Sequence, residues 1–435
     1  MRVRFFTNAA LEIDAEPVTI LCDPWFVPGA FDGSWWQWPP LETKPEDVSQ
    51  YTHLYVSHIH PDHCDVKTLK RLPRKDVPVI ILKNDQPYLK NKIQSCGFDE
   101  FIELKNRQSV TLASGVTVTM YGAFAPNVFI EDAGVPNVID SSIVISDGRQ
   151  ALLNANDNVP TRSACEEIRE RHGALTAALL PYSGVGPYPS SYENLSADEK
   201  EREAEAKKKK YLERVRENAR ILEPNLVIPC AGQMILGGRQ AHKNRVLGVP
   251  PASAARDALE RDGVSSLVLG EGDLLDIQTG KLVEEDAPPR RGPAELAEDI
   301  AGARYWWEDA FRVPKSERVD LLPLLQAARH RMWSFQQRHD FTTDWRVGIT
   351  VAESPDETYS FSMAENGKVR KERTSALRDG AEKFLQVTIL YAYLIAILTR
   401  HCHWNNAYHG CHVEWFRRPN VYLPEIQILL SYFHL

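Results

Sequence analysis

The densest run of chemically capable side chains is Ser57-His58-Ile59-His60-Pro61-Asp62-His63, in which three imidazoles and one carboxylate fall within six residues. His58, His60, Asp62 and His63 follow the pattern HxHxDH. Neutral imidazole and carboxylate are the ligands that borderline-hard divalent ions prefer, and a tight loop can aim such groups at two neighbouring ions. The run therefore reads as a metal centre of dinuclear type, holding one or two divalent ions (zinc, manganese or iron). Asp62 has a second expected role, the orientation of a reacting water. Asp157, in Leu153-Asn154-Ala155-Asn156-Asp157-Asn158, is a further candidate ligand. Its alternative is a turn or N-cap aspartate, since Pro160 follows and a helix begins nearby.

The elements around these residues set their geometry. The apolar strand His53 to Ser57 runs straight into the histidine cluster, so the donors stand at a strand's C-terminal end, where open sheets place ligand sites. Upstream, MRVRFF and VTILCD read as strands, the second ending at Asp23-Pro24-Trp25, and a loop carrying Trp35, Trp36 and Trp38 follows. These tryptophans either wall a pocket or staple the loop. Helices are expected around 66–72, 86–96 and 163–171, and strands over 77–82, 175–180 and 225–229. A hairpin is expected where 141–146 and 150–154 flank Asp147-Gly148. Ser196 and Glu199, in capping-box spacing, open a charged helix to about Leu222, whose run Lys207 to Lys210 reads as a solvated face balanced by glutamates. The mixture suits an α/β fold of αββα sandwich type.

Several collinear blocks carry a resemblance. Cys22-Asp23-Pro24-Trp25-Phe26, Trp35-Trp36, Ile59-His60-Pro61-Asp62-His63, Leu153 to Asp157 and Pro229-Cys230-Ala231-Gly232 resemble the metallo-β-lactamase superfamily, and within it the non-Rieske part of CMP-N-acetylneuraminate hydroxylase and its bacterial relatives. The resemblance covers roughly residues 1 to 280. It implies that His58 and His60 hold one ion, that Asp62 and His63 hold the second, and that Asp157 bridges them. It also implies a last ligand histidine after a late strand, for which His242 is the candidate. One departure stands out: no histidine lies between His63 and His172, where the superfamily supplies the third ligand of its first position. That position is then completed by a carboxylate such as Asp132 or Asp140, or holds its ion weakly or not at all. The hydroxylases carry a Rieske iron–sulfur domain with two cysteine and two histidine ligands. Cys402-His403 and Cys411-His412 lack its CxH and CxxH spacings.

The chain has 435 residues with a formal net charge of −8, and 43% of its residues are hydrophobic. That is long for one core, and the charged, proline-rich stretch Glu284 to Pro293 marks a boundary. The expected division is 1–283, a metallo-β-lactamase-fold metal-binding domain, and 295–435, an appended α+β domain with a hairpin at 345–352 and 358–365. Acidity argues against a nucleic-acid partner. The apolar stretch Leu385 to Thr399 is short of the roughly 20 residues a membrane span needs, and reads as a buried helix. The N-terminus enters a strand pattern without a leader, and seven scattered cysteines form no CxxC pair. A cytoplasmic protein without disulfides, acting on a small molecule and compatible with a homo-oligomer, is expected. His401 to His412 holds four of the thirteen histidines. It covers the site, supplies a missing ligand, or simply packs under the aromatic C-terminus. The function expected first is hydrolysis of a small anionic or carbohydrate-like substrate by metal-activated water. The rivals are an iron-dependent oxygenase needing an electron-transfer partner, and a degenerate fold without catalysis.

Overall fold

The computed structural model describes residues 1–124, 139–232, 234–284, 300–338 and 340–435. In chain order the strands are β1 (Arg2–Thr7), β2 (Ala10–Ala15), β3 (Val18–Cys22), β4 (Trp35–Gln37), β5 (His53–Tyr55), β6 (Val79–Leu82), β7 (Phe101–Leu104), β8 (Ser109–Thr111), β9 (Thr117–Gly122), β10 (Ser141–Ser146) and β11 (Ala151–Asn154). They continue with β12 (Ala177–Pro181), β13 (Val227–Cys230), β14 (Met234–Leu236), β15 (Leu274–Asp276), β16 (Lys281–Glu284), β17 (Arg346–Val351), β18 (Glu357–Ser362), β19 (Arg370–Arg373), β20 (Phe384–Ile389) and β21 (Glu414–Arg418).

Two large sheets face each other. The first has the order β16-β15-β1-β2-β3-β5-β6-β7 and the second β13-β12-β11-β10-β9-β8. Their inner faces share one core, in which Val3, Leu11, Ile13 and Ile20 meet Val118, Met120, Ile143 and Leu152. The alternation of apolar residues along β1, β2 and β9 produces that burial, because successive side chains leave opposite faces of a strand. Leu69, Leu89 and Ile93 of the helices Val66–Arg71 and Tyr88–Gln94 cover the outer face of the first sheet. Those at Arg162–His172, Ala197–Leu222 and Ala252–Glu260 cover the second through Cys165, Ile168, Val215, Ala219 and Leu259. The expected αββα sandwich is what forms.

The strand directions decide where chemistry can occur. β3, β5, β6 and β7 are parallel, β1 runs the same way through antiparallel β2, and β11, β12 and β13 are parallel. Their C-terminal ends open on one edge of the sandwich, and β10, antiparallel to β11, begins there. Four non-glycine residues just beyond such ends, Asn8, Asp23, Asn156 and Ala231, adopt positive φ. Backbone held in this region costs energy and concentrates at functional sites.

A third large sheet, β19-β18-β17-β20-β21, lies in the C-terminal region. It packs with the helix Leu321–Arg338 and with aromatic residues of 391–433 around Trp307, Tyr393 and Trp415. Tyr188 and Tyr192, from the middle of the chain, join this core. The expected boundary falls largely on 285–299, outside the described residues. Two expectations need correction here. The stretch 385–399 is not one helix: Phe384–Ile389 is the strand β20 between β17 and β21, and only Tyr391–Leu398 is helical. Its alternating Leu385, Val387 and Ile389 fill sheet positions, and the apolar run continues without a polar break to mark the change. Nor is the lysine run wholly solvated. Lys207 is buried, its ammonium donating to the carbonyls of Tyr188 and Leu247 at 3.0 and 3.1 Å.

Candidate metal centre

β5 delivers Ser57 and His58 to the open edge, and the chain then turns tightly. The amides of His63 and Cys64 both donate to the carbonyl of His60, at 3.1 and 2.8 Å. Asp65 closes the loop by capping the helix Val66–Arg71 through the amides of Lys67 and Thr68. The turn brings all four side chains of the motif together: the His58 ring lies 4.5 Å from that of His60 and 4.2 Å from that of His63. Nε2 of His58 and Nδ1 of His60 converge to 2.8 Å.

Two groups of donors result, each with its ligand atoms within 4.8 Å of one another: His58, His60 and Asp140, and His58, His63 and Asp157. Asp140, one of the two carboxylates considered for the position without a histidine, precedes β10 and places Oδ1 3.4 Å from Nε2 of His58. Asp132, the other carboxylate considered there, lies outside the described residues. Asp157 follows β11 in a turn and sets Oδ2 3.1 Å from Nε2 of His63, while Asp62 sets Oδ2 3.4 Å from the same nitrogen. His242 is not brought to this cluster. It is exposed on the short helix Gly238–Val246, with Nδ1 donating to the carbonyl of Arg239 at 2.9 Å, because the chain beyond β14 turns outward before reaching it.

The site contains supporting residues to which the sequence reading assigned no role. Asp23, fully buried at the end of β3, accepts the Ser57 amide at 2.7 Å and meets Nδ1 of His63 at 3.0 Å. A carboxylate behind a metal-binding imidazole fixes its tautomer and leaves the other nitrogen for the ion. The Ser57 hydroxyl, 2.9 Å from Nδ1 of His58, performs the same service there. Asn8, beyond β1, donates Nδ2 to Asp62 at 3.1 Å. The sequence signal was available in Asp23-Pro24, which ends a strand neighbouring β5. Its pairing with His63 depends on β3 and β5 lying side by side.

Burial drives the electrostatics. Desolvation pushes His58 well below its ordinary pKa, and takes His60 down to about 3. Both imidazoles are then neutral, as ligands must be. Burial would also depress His63, but the carboxylates of Asp157, Asp62 and Asp23 outweigh it and hold this ring well above its ordinary value. Burial raises Asp23. For Asp62 burial alone would raise the carboxyl, but the charge and hydrogen bond of His63, together with His60 and a backbone hydrogen bond, outweigh it and keep the carboxyl low. The ion pairs of Asp23, Asp62 and Asp157 thus all run to one imidazolium. Buried anions without enough positive charge are costly, and a divalent cation is what such an oxygen- and nitrogen-rich set accommodates. The donor set therefore fits one or two divalent ions.

Known proteins are similar to parts of this chain. Residues 18–201 match the family model described as the beta-lactamase superfamily domain. A protein of Mycolicibacterium smegmatis named for a Rieske 2Fe-2S iron–sulfur protein is 29% identical over 236 residues, covering 53% of this chain and 43% of its own length. Cytidine monophosphate-N-acetylneuraminic acid hydroxylase of Macaca mulatta is 24% identical over 248 residues, covering 54% of this chain and 38% of the hydroxylase. The chain spans less than half the length of these curated relatives. Among solved structures, the isothiocyanate hydrolase from Delia radicum gut bacteria is similar with a TM-score of 0.46 and 16% identity, covering 63% of this chain and 99% of the hydrolase. CmlA, a diiron β-hydroxylase from Streptomyces venezuelae, gives 0.44 and 16%, covering 63% and 53%. No helix among the described residues is long and apolar enough to cross a membrane. Residues 18–201 are thus similar to the beta-lactamase superfamily domain, and the paired sheets with a donor cluster at their open edge have the metallo-β-lactamase fold.

Proposed function

We propose that this chain is an iron-dependent oxygenase acting on a small molecule. The observation that carries the reading is Asp140, which joins His58 and His60 where a third histidine would otherwise stand. Two histidines and one carboxylate with open positions are the ligand set of non-haem iron(II) oxygen chemistry. The second position, with His63, Asp62 and Asp157, is richer still in hard oxygen donors. The hydroxylase relative supports the same direction.

Iron held here would supply the redox capacity for dioxygen that side chains lack. The protein's own residues have separate tasks. Asp62, anchored by Asn8, orients a molecule bound at the centre. Asp157, whose side chain is 36% exposed, marks the side from which substrate enters. Asp23 and Ser57 hold the imidazoles in the ligating tautomer. Oxygenation of a C–H bond places one oxygen atom in the product and releases the other as water, consuming two electrons and two protons. An iron–sulfur donor of the kind named in the mycobacterial relative would deliver those electrons, and the division at 283/295 would separate the metal-binding unit from the C-terminal one.

The second reading is hydrolysis with zinc. It is favoured by the mixed imidazole and carboxylate donors, which suit zinc as well, and by the placement of Asp62 to orient water. Metal analysis and Mössbauer spectroscopy of protein purified without oxygen separate the two. A coupled iron pair that consumes dioxygen on reduction is expected. Zinc alone with hydrolytic turnover would replace oxygenation by hydrolysis, and a protein that binds no divalent ion would remove both.

A further inference from the structure

His409 lies at the end of the helix Trp404–His409, in the C-terminal region, yet its ring is 5.3 Å from that of His60. Three contacts fix it there. Its carbonyl accepts the Trp35 indole N–H at 2.9 Å, and its Nδ1 donates to the carbonyl of Val185 at 3.1 Å. Phe31 packs on the ring at 5.6 Å. The following residues are anchored too, since the buried ammonium of Lys243 donates to the carbonyl of Cys411 at 2.7 Å.

A carbonyl can only accept, so Nδ1 carries the proton and Nε2 presents a lone pair. That nitrogen is buried, in a residue only 6% exposed, and has no hydrogen-bond partner among the described residues. Leaving such a buried polar atom unsatisfied is costly. Imidazole with one nitrogen tied to a backbone carbonyl and the other bare is how proteins present histidine to a metal.

We infer that His409 is a further ligand of the metal centre, supplied by the C-terminal region in place of the late-strand histidine. His409 belongs to neither donor triad as the ring stands, so ligation draws Nε2 towards the ions. The sandwich alone then makes an incomplete site. Loop 31–36 is the joint, because it holds His409 through Trp35 and Phe31 while Asp32 accepts from Tyr393 and Asn406.

The inference rests on the centre binding metal, and the test keeps the two apart. Cobalt(II) is titrated into the metal-free full-length chain against a chromophoric chelator, and the visible spectrum reports the ligand set. His409→Asn retains a donor for Val185 but removes Nε2. Expected are a cobalt affinity at least about tenfold weaker, the loss that even an outer-shell partner causes, and altered d–d bands. The melting midpoint of the metal-free variant should match the parent, which a purely structural histidine would not allow. Unchanged affinity and spectrum would overturn the role of His409 while leaving the centre intact. A lowered metal-free midpoint with an unchanged spectrum would do the same. A parent chain that binds no cobalt would instead overturn the metal centre itself.

Discussion

Two histidine-rich segments of this molecule have similar composition and opposite fates. In 58–63 the donors leave one strand end on a loop that folds back on the carbonyl of His60, so three rings and Asp62 share one small buried volume. In 401–412 the histidines diverge. His401 is exposed against Phe311, and His403 accepts the Asn405 amide as a helix cap. His409 reaches the metal cluster, while His412 is enclosed by Tyr305, Trp307 and Tyr393. A histidine count therefore says little. What makes a site is a backbone that turns several donors toward one point, and a strand exit followed by a tight turn does this where a helix scatters them.

The most severe test of that contrast removes donors from each segment in parallel. His60→Ala combined with Asp62→Ala should abolish nearly all metal binding while circular dichroism stays unchanged, because these side chains stand at a sheet edge. His401→Ala with His403→Ala should leave metal content at the parent level. Equal loss in both pairs, or none in the first, would refute the assignment of the centre to the strand-exit loop.

A smaller effect is expected one layer out. Asp23→Asn keeps an acceptor for the Ser57 amide but loses the charge that fixes His63. Metal affinity should fall about 10- to 100-fold, as it does when partners of ligating histidines are changed. Isothermal titration measures this, and an unaltered affinity would reduce Asp23 to a backbone anchor for β3 and β5.

The sequence made the sandwich and the motif readable because both are local. Alternation in β1 and β2, the capping box at Ser196 and HxHxDH at a strand exit each need only a few adjacent residues. Asp140 was legible as a candidate, since the missing histidine left a gap that a carboxylate could fill. Asp23, Asn8 and the particular role of His409 were hidden for one reason: each acts across a long sequence separation, set by strand order or by the packing of the C-terminal region. His242 is the complement, a residue suited by position along the chain but exposed on the short helix that holds it. In 385–399 an unbroken apolar run concealed the junction of β20 with the following helix, as periodicity alone cannot separate two buried elements.

The subtlest difference between the two segments is in acid. His412 is 6% exposed, its Nε2 donates to the carbonyl of Phe31 at 2.8 Å, and burial takes its pKa down to about 3. The unfolded chain binds a proton at this residue near pH 6.5, which the folded chain resists until about 3. Unfolding therefore takes up a proton across that window, and stability falls as pH falls through it. At pH 4.5 the loss from this one residue is about 2.5 kcal/mol. His412→Phe keeps the aromatic packing and does not titrate, at the expense of the bond to Phe31. It should be less stable than the parent at pH 7, and the gap should narrow or reverse by pH 4.5 when denaturant unfolding is followed at both. Other groups make both proteins acid-sensitive, but they cancel in the difference. A gap that does not change with pH would mean that His412 is protonated as readily folded as unfolded, and that its enclosure by Tyr305, Trp307 and Tyr393 does not exclude charge.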